Sequence, residues 1–162
     1  MQLRGWTTSS QATGNSCYPF MASLQIDEFY RDAAKILVSL FDVFPRPVAI
    51  YAEDIAGPDE PDEYGVHSKR YQACFAAMLW LGEEGYIRYQ DVIRQDAVDQ
   101  AVLTGRCFSA LIAPQTSPDE TLPESVRIEQ SSAVFQLRQA LTSGSSDAVA
   151  RAFAPLLERM SA

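Results

Sequence analysis

Between Asp59 and Gln72 the chain gathers its densest set of reactive and polar side chains: Asp59, Glu60, Asp62 and Glu63, then His67, Ser68, Lys69, Arg70 and Gln72. Carboxylates beside an imidazole are the materials of acid–base hydrolysis, which needs two acids held at a fixed separation. These four acids lie in one segment with Gly57, Pro58, Pro61 and Gly65, a loop by its turn chemistry, and a flexible loop cannot hold that distance. His67 is the single histidine, so neither a Ser-His-acid set nor a Cys-His pair can be assembled from its neighbours. It reads as a solvent-facing loop residue. No glycine-rich phosphate loop is present. The chain is therefore not expected to be an enzyme, and no catalytic residue is assigned.

Cys17, Cys74 and Cys107 are odd in number and far apart, which argues against a disulfide framework and against a zinc knuckle. Cys74, within Gln72-Ala73-Cys74-Phe75-Ala76-Ala77-Met78, reads as a small core residue, and so does Cys107. Neither a metal site nor a cofactor is expected.

The chain of 162 residues carries 13 basic and 21 acidic side chains, for a net charge of −8. Proteins that neutralise phosphates usually present a basic footprint, and the chain taken whole does not. The distribution is uneven. Residues 26–66 hold 3 basic and 10 acidic side chains, a net of 3 − 10 = −7, whereas 67–112 hold 5 of each, a net of 0. The acidic loop Asp59–Glu63 is thus also a place where a basic protein partner could dock. No run approaches the roughly 20 apolar residues of a membrane helix, and no secretory leader is apparent. The expected location is the cytoplasm.

The elements that must position these residues follow from periodicity. Residues 1–25 are rich in Ser, Thr, Gln and Gly and read as a flexible lead, and Met21 offers an alternative start that would make the first twenty residues non-native. Phe29, Ala33, Ile36, Leu37, Leu40 and Phe41 make one apolar stripe, which predicts a helix from Asp27 to Phe44 stopped by Pro45 and Pro47. Val48–Tyr51 is β-prone, and Ala52–Ile55 a single helical turn. Ser68 is the expected N-cap of a helix reaching Leu81, with Trp80 in the core. Tyr86–Tyr89 and Gln100–Leu103 predict two antiparallel strands with a polar segment, 91–99, between them. A helix over Gly105–Ile112 leads to a linker, 113–123. Beyond it a hairpin of two helices is expected over 124–162, the first from Val126 to Thr142, the second capped by Ser146 or Asp147 and kinked at Pro155.

Taken in order from Ile26 to Ile112, this pattern, ending in Leu81-Gly82-Glu83-Glu84-Gly85-Tyr86-Ile87-Arg88 and then Leu103-Thr104-Gly105, resembles the winged-helix domain of the helix-turn-helix superfamily. The resemblance covers residues 26–112. It implies an α+β, mainly helical fold, a winged helix-turn-helix with a C-terminal helical extension. In DNA-binding members the third helix enters the major groove and the wing lies along the backbone or minor groove. The matching positions are Ser68, Lys69, Arg70 and Gln72 on the reading helix, with Arg88, Arg94 and Gln95 on the wing side. Arginine suits guanine or phosphate, and glutamine suits adenine. The bland alternative is a solvated helix start and surface arginines paired with nearby acids.

Two functions remain open from the residues. One is a transcriptional regulator that binds DNA as a homodimer, with Val149, Phe153, Leu156, Leu157 and Met160 forming the apolar dimer face of the last helix. The other is an acidic winged-helix module that binds protein and not DNA.

Overall fold

The apolar stripe of the first helix fixes the centre of the molecule. Ala33, Ala34, Ile36 and Leu37 have no solvent exposure, and they lie in α1, Pro19–Val43. In this computed structural model residues 19–117 and 120–162 are described, the first five by backbone alone. α1 begins eight residues before the expected Asp27. Met21, Ala22, Leu24 and Gln25 are good helix formers, so the helix continues outward without an apolar stripe to mark it; the rest of the expected lead, 1–18, lies outside the described residues.

Past Pro45 and Pro47 the chain enters β1 (Val48–Tyr51) and α2 (Ala52–Ala56). The loop of 57–68 follows, held by Asp62, whose Oδ1 accepts from the amides of Tyr64 and Val66. α3 spans Lys69–Glu83, and Ser68 is its N-cap, accepting from the Tyr71 amide at 3.3 Å. Gly85, at φ +73°, supplies the left-handed turn that ends the helix. The segment of 86–103 then yields β2 (Ile87–Arg88), β3 (Asp91–Ile93) and β4 (Ala97–Leu103). The polar segment of 91–99, expected as the wing between two strands, thus supplies a strand of its own, β3, and the start of β4. β4 is the spine of the sheet: β1, β2 and β3 all pair with it antiparallel. A bulge interrupts β4, where Gln100 takes φ +52° and the register against β1 slips between Val48↔Ala101 and Ile50↔Val98.

Thr104 closes the sheet onto the next helix. Its hydroxyl donates to the Gly85 carbonyl at 2.8 Å and accepts from the Cys107 amide, capping α4 (Gly105–Ile112). The result is α+β and mainly helical.

The C-terminal region departs from expectation in two ways. Where one helix over 126–142 was expected there are two, α5 (Glu124–Ser131) and α6 (Ala133–Ser143). Ser132 sits between them in extended conformation; its hydroxyl donates to the Glu129 carbonyl and accepts from the Phe135 amide, ending one helix and starting the next. α7 (Ser146–Ser161) is capped by Ser145, one residue before the expected Ser146, and continues through Pro155.

The second departure concerns the proposed dimer face. α1 packs on α2, α3, β1 and β4, and equally on α6 and α7, which also meet α4. Val149, Phe153, Leu156 and Met160 are buried in this common core, at 6% exposure or less, and Leu157 packs partly buried against it. The Phe153 ring lies 5.6 Å from Tyr30 and 6.4 Å from Phe29. These residues form the inner face of the chain's own core, not a free interface. A helical period reveals that a face is covered but not what covers it. Burial of Phe153 and Leu156 contributes about 1.5–3 kcal/mol each, which explains why the face turns inward.

Candidate functional site

Arg70, the cation expected to meet DNA, is already engaged. Asp32 is 1% exposed, buried on α1 where that helix meets α3. An isolated charge there would be costly, so it is held by the Arg70 guanidinium, which donates from both terminal nitrogens at 2.6 Å. Glu28, one turn earlier on α1, lies 3.9 Å from Arg70 Nε. The hydrogen bonds to Asp32 raise the Arg70 pKa above its ordinary value. The pair joins α1 to α3, and it commits both terminal nitrogens of Arg70 to Asp32 and away from any phosphate.

The remaining expected contacts are distributed differently. Lys69 is exposed and forms no ion pair among the described residues. Ser68 serves its own helix as cap. The Gln72 side chain donates back to the His67 carbonyl at 2.7 Å, closing the helix start. Arg88, Arg94 and Gln95 are exposed on β2 and on the β3–β4 turn, where Arg94 takes φ +52°. No ion pair joins Arg88 or Arg94 to Asp91, Asp96 or Asp99 among the described residues. The bland reading of these arginines as locally paired charges is therefore not what the fold adopts.

His67 is the correction that sequence reasoning missed. It is half-buried, not turned to solvent. Its Nδ1 lies 2.9 Å from Asp59 Oδ2, its Nε2 lies 2.9 Å from Asp96 Oδ1, and its ring stacks on Tyr71 at 4.2 Å. Both nitrogens face carboxylates, and a ring nitrogen that carries a proton donates to the carboxylate it faces. Asp59 also accepts from the Ser68 amide. Hydrogen bonding by Ser68 is the chief cause that holds the Asp59 pKa below its ordinary value; His67 adds to it, and partial burial works against it. Burial first, and the Asp96 charge second, raise the Tyr71 pKa. The node ties the acidic loop to α3 and to the β3–β4 turn. Its signal in the sequence was a histidine flanked by acids eight residues before it and twenty-nine after it, a spacing that only the fold interprets.

The outer face of α3 does not present a basic ridge. With α1 it walls a groove of about 840 Å³. Phe29, Ala73, Ala76, Ala77 and Trp80 supply its apolar surface, and Lys69 and the Arg70–Asp32 pair line it as well. Trp80 is only partly in the core: it meets Phe29 edge-on at 5.0 Å and stacks on Tyr86 at 5.5 Å. Ala73 and Ala76 are small and exposed, so an approaching element meets little side-chain bulk there. Leu24 and Ile26, 55% and 51% exposed, continue the apolar character along α1.

Among the described residues no group of His, Cys, Asp and Glu has the arrangement of a metal site, and no helix is long and apolar enough to cross a membrane. Comparison of the chain with family models, with curated proteins and with solved structures returned no match.

Proposed function

We propose that this chain is an acidic winged-helix module that binds another protein and not DNA. The observation that carries this reading is the engagement of Arg70 by Asp32 and Glu28. It leaves Lys69 as the single exposed cation on the first turns of α3 and turns the reading helix into one wall of an apolar groove. Phosphate neutralisation supplies most of the affinity of DNA binders, and one lysine beside the acidic loop Asp59–Glu63 supplies little of it. The winged-helix order of elements, α1, β1, α2, α3 and then the strands β2 to β4, is compatible with the reading.

The partner that fits is a helix with an apolar stripe and a basic edge. From Lys69 to Trp80 the groove offers about three helical turns, and the acidic loop leads directly into its Lys69 end. Such a helix would dock by the groove mode, with apolar anchors at positions i, i+3 or i+4, and i+7.

The test pairs two titrations of the full chain. Random-sequence duplex DNA, followed by fluorescence anisotropy from low to physiological salt, is expected not to bind. A labelled amphipathic leucine–lysine helix is expected to bind and to weaken at least tenfold in Ala76→Trp, which fills the groove without altering charge. Salt-sensitive DNA binding lost in Lys69→Ala, or peptide binding untouched by Ala76→Trp, would overturn the proposal.

A further inference from the structure

The groove between α1 and α3 lies close to the point where residues 1–18 join the fold. Leu24 and Glu28 line its α1 wall, and Ala73, Ala76 and Trp80 line its α3 wall. Leu24 is 55% exposed and stands five residues after Pro19, the first residue of α1. Five residues of helix rise about 8 Å. Residues 1–18 lie outside the described residues, and whatever path they take starts within that distance of the groove.

Their chemistry differs from that of the rest of the chain. In a protein of net charge −8 the first acidic residue is Asp27, and residues 1–18 hold one charged side chain, Arg4. Leu3 and Trp6 flank it, and Trp6 is one of two tryptophans in the chain. The groove matches these side chains in kind. Ala73 and Ala76 leave room for a large ring beside Leu24 and Phe29. Glu28 is an acceptor with capacity to spare, because Arg70 gives both terminal nitrogens to Asp32. The Arg70 Nε lies 3.9 Å from Glu28, beyond hydrogen-bond range. A second guanidinium would complete that carboxylate.

The connection also has a suitable length. Seven of the twelve residues 7–18 are Ser, Thr or Gly, and a twelve-residue chain of that kind spans about 19 Å. From Lys69 to Trp80 the groove runs about 17 Å. A tether matched to its span gives an effective concentration of about 1 mM. A segment that on its own bound at only about 0.1 mM would then weaken an outside ligand about tenfold.

We propose that residues 1–6 of this chain occupy the groove, with Trp6 over Ala73 and Ala76 and Arg4 at Glu28, and compete there with the partner helix. This rests on the reading of the groove as the protein-binding site and adds its regulation: the partner binds by displacing the chain's own segment.

Two measurements on the full chain test it. In Trp80→Phe the tryptophan emission comes from Trp6 alone. That emission is expected to be protected from acrylamide, equally so as the protein is diluted. It should shift to the red and quench faster in Trp80→Phe/Ala76→Arg, where a charged side chain stands in the groove. The second measurement titrates the labelled leucine–lysine helix into the parent and into Leu3→Ser/Trp6→Ser, and about tenfold tighter binding to the variant is expected. Equal affinity for both, or a Trp6 quenched as readily in Trp80→Phe as in Trp80→Phe/Ala76→Arg, would overturn the proposal. Protection that disappears on dilution would overturn it as well, by assigning the occupant to a second copy of the chain. A helix that binds neither protein would sink the protein-binding reading and the competition with it. Trp6 protection lost in Trp80→Phe/Ala76→Arg would still place the segment in the groove, so the two failures are distinguishable.

Discussion

Replacing Arg70 by alanine should destabilise the fold without removing a nucleic-acid contact. Asp32 is 1% exposed and its two oxygens each accept from Arg70 at 2.6 Å. Removing one partner of a fully buried pair costs about 3–5 kcal/mol, because a charge is left buried without compensation. About a third of the Arg70 side chain is in water, 32%, and screening reduces the loss to about 2–3 kcal/mol. For a chain of this size that corresponds to a fall in Tm of about 5–10 °C. The double variant Arg70→Met/Asp32→Leu removes both charges and fills the site with apolar volume, so it should recover most of the loss. Urea and thermal unfolding of the parent, both single variants and the double variant measure this directly. A cost below about 1 kcal/mol in Arg70→Ala, or a double variant as unstable as the single, would refute the reasoning and return Arg70 to the surface as a free cation.

Leu156→Ala should cost about 2–5 kcal/mol in unfolding free energy, since Leu156 has no exposure; an intact monomer that merely dissociates from a dimer, seen by light scattering, would restore the dimer face. Gly82→Ala would gain up to about 1 kcal/mol from helix propensity, yet a Cβ there runs into the Tyr89 ring, so a net loss of about 1 kcal/mol is expected by urea unfolding. Burial pushes the Cys107 thiol pKa up to about 12, and burial, reinforced by the Asp32 charge, does the same for Cys74. Both should resist a disulfide reagent at pH 8 in the native state of Cys17→Ser and react after unfolding; fast native reaction would refute their burial. Asp59 has its folded pKa depressed, so its contribution to stability is present above the ordinary carboxylate value near 3.9 and is lost as pH falls through the lower folded value. Asp59→Asn should therefore flatten the dependence of stability on pH below about 4, as followed by denaturant midpoints.

Much of the fold was legible in local pattern. The α1 stripe, the Ser68 cap and the Leu103-Thr104-Gly105 entry to α4 all rest on short-range rules of period and capping, and each stands where those rules put it. The residues at the head of α3 were legible as a set, but their roles were not. Arg70 pairs with a residue 38 positions away and His67 with one 29 positions away; no spacing rule links such partners.

The sequence by itself determined the order of the main elements from α1 to α4 apart from β3, the burial of Cys74 and Cys107, and the concentration of acid before α3, because these depend on each residue's own chemistry and its near neighbours. Only the tertiary structure decided that α7 turns its apolar face inward, that Arg70 belongs to Asp32, and that His67 sits between Asp59 and Asp96. Each of those outcomes depends on which surfaces meet across the chain. An apolar stripe or a lone cation is satisfied by whatever partner the packing brings, and packing is not a local property.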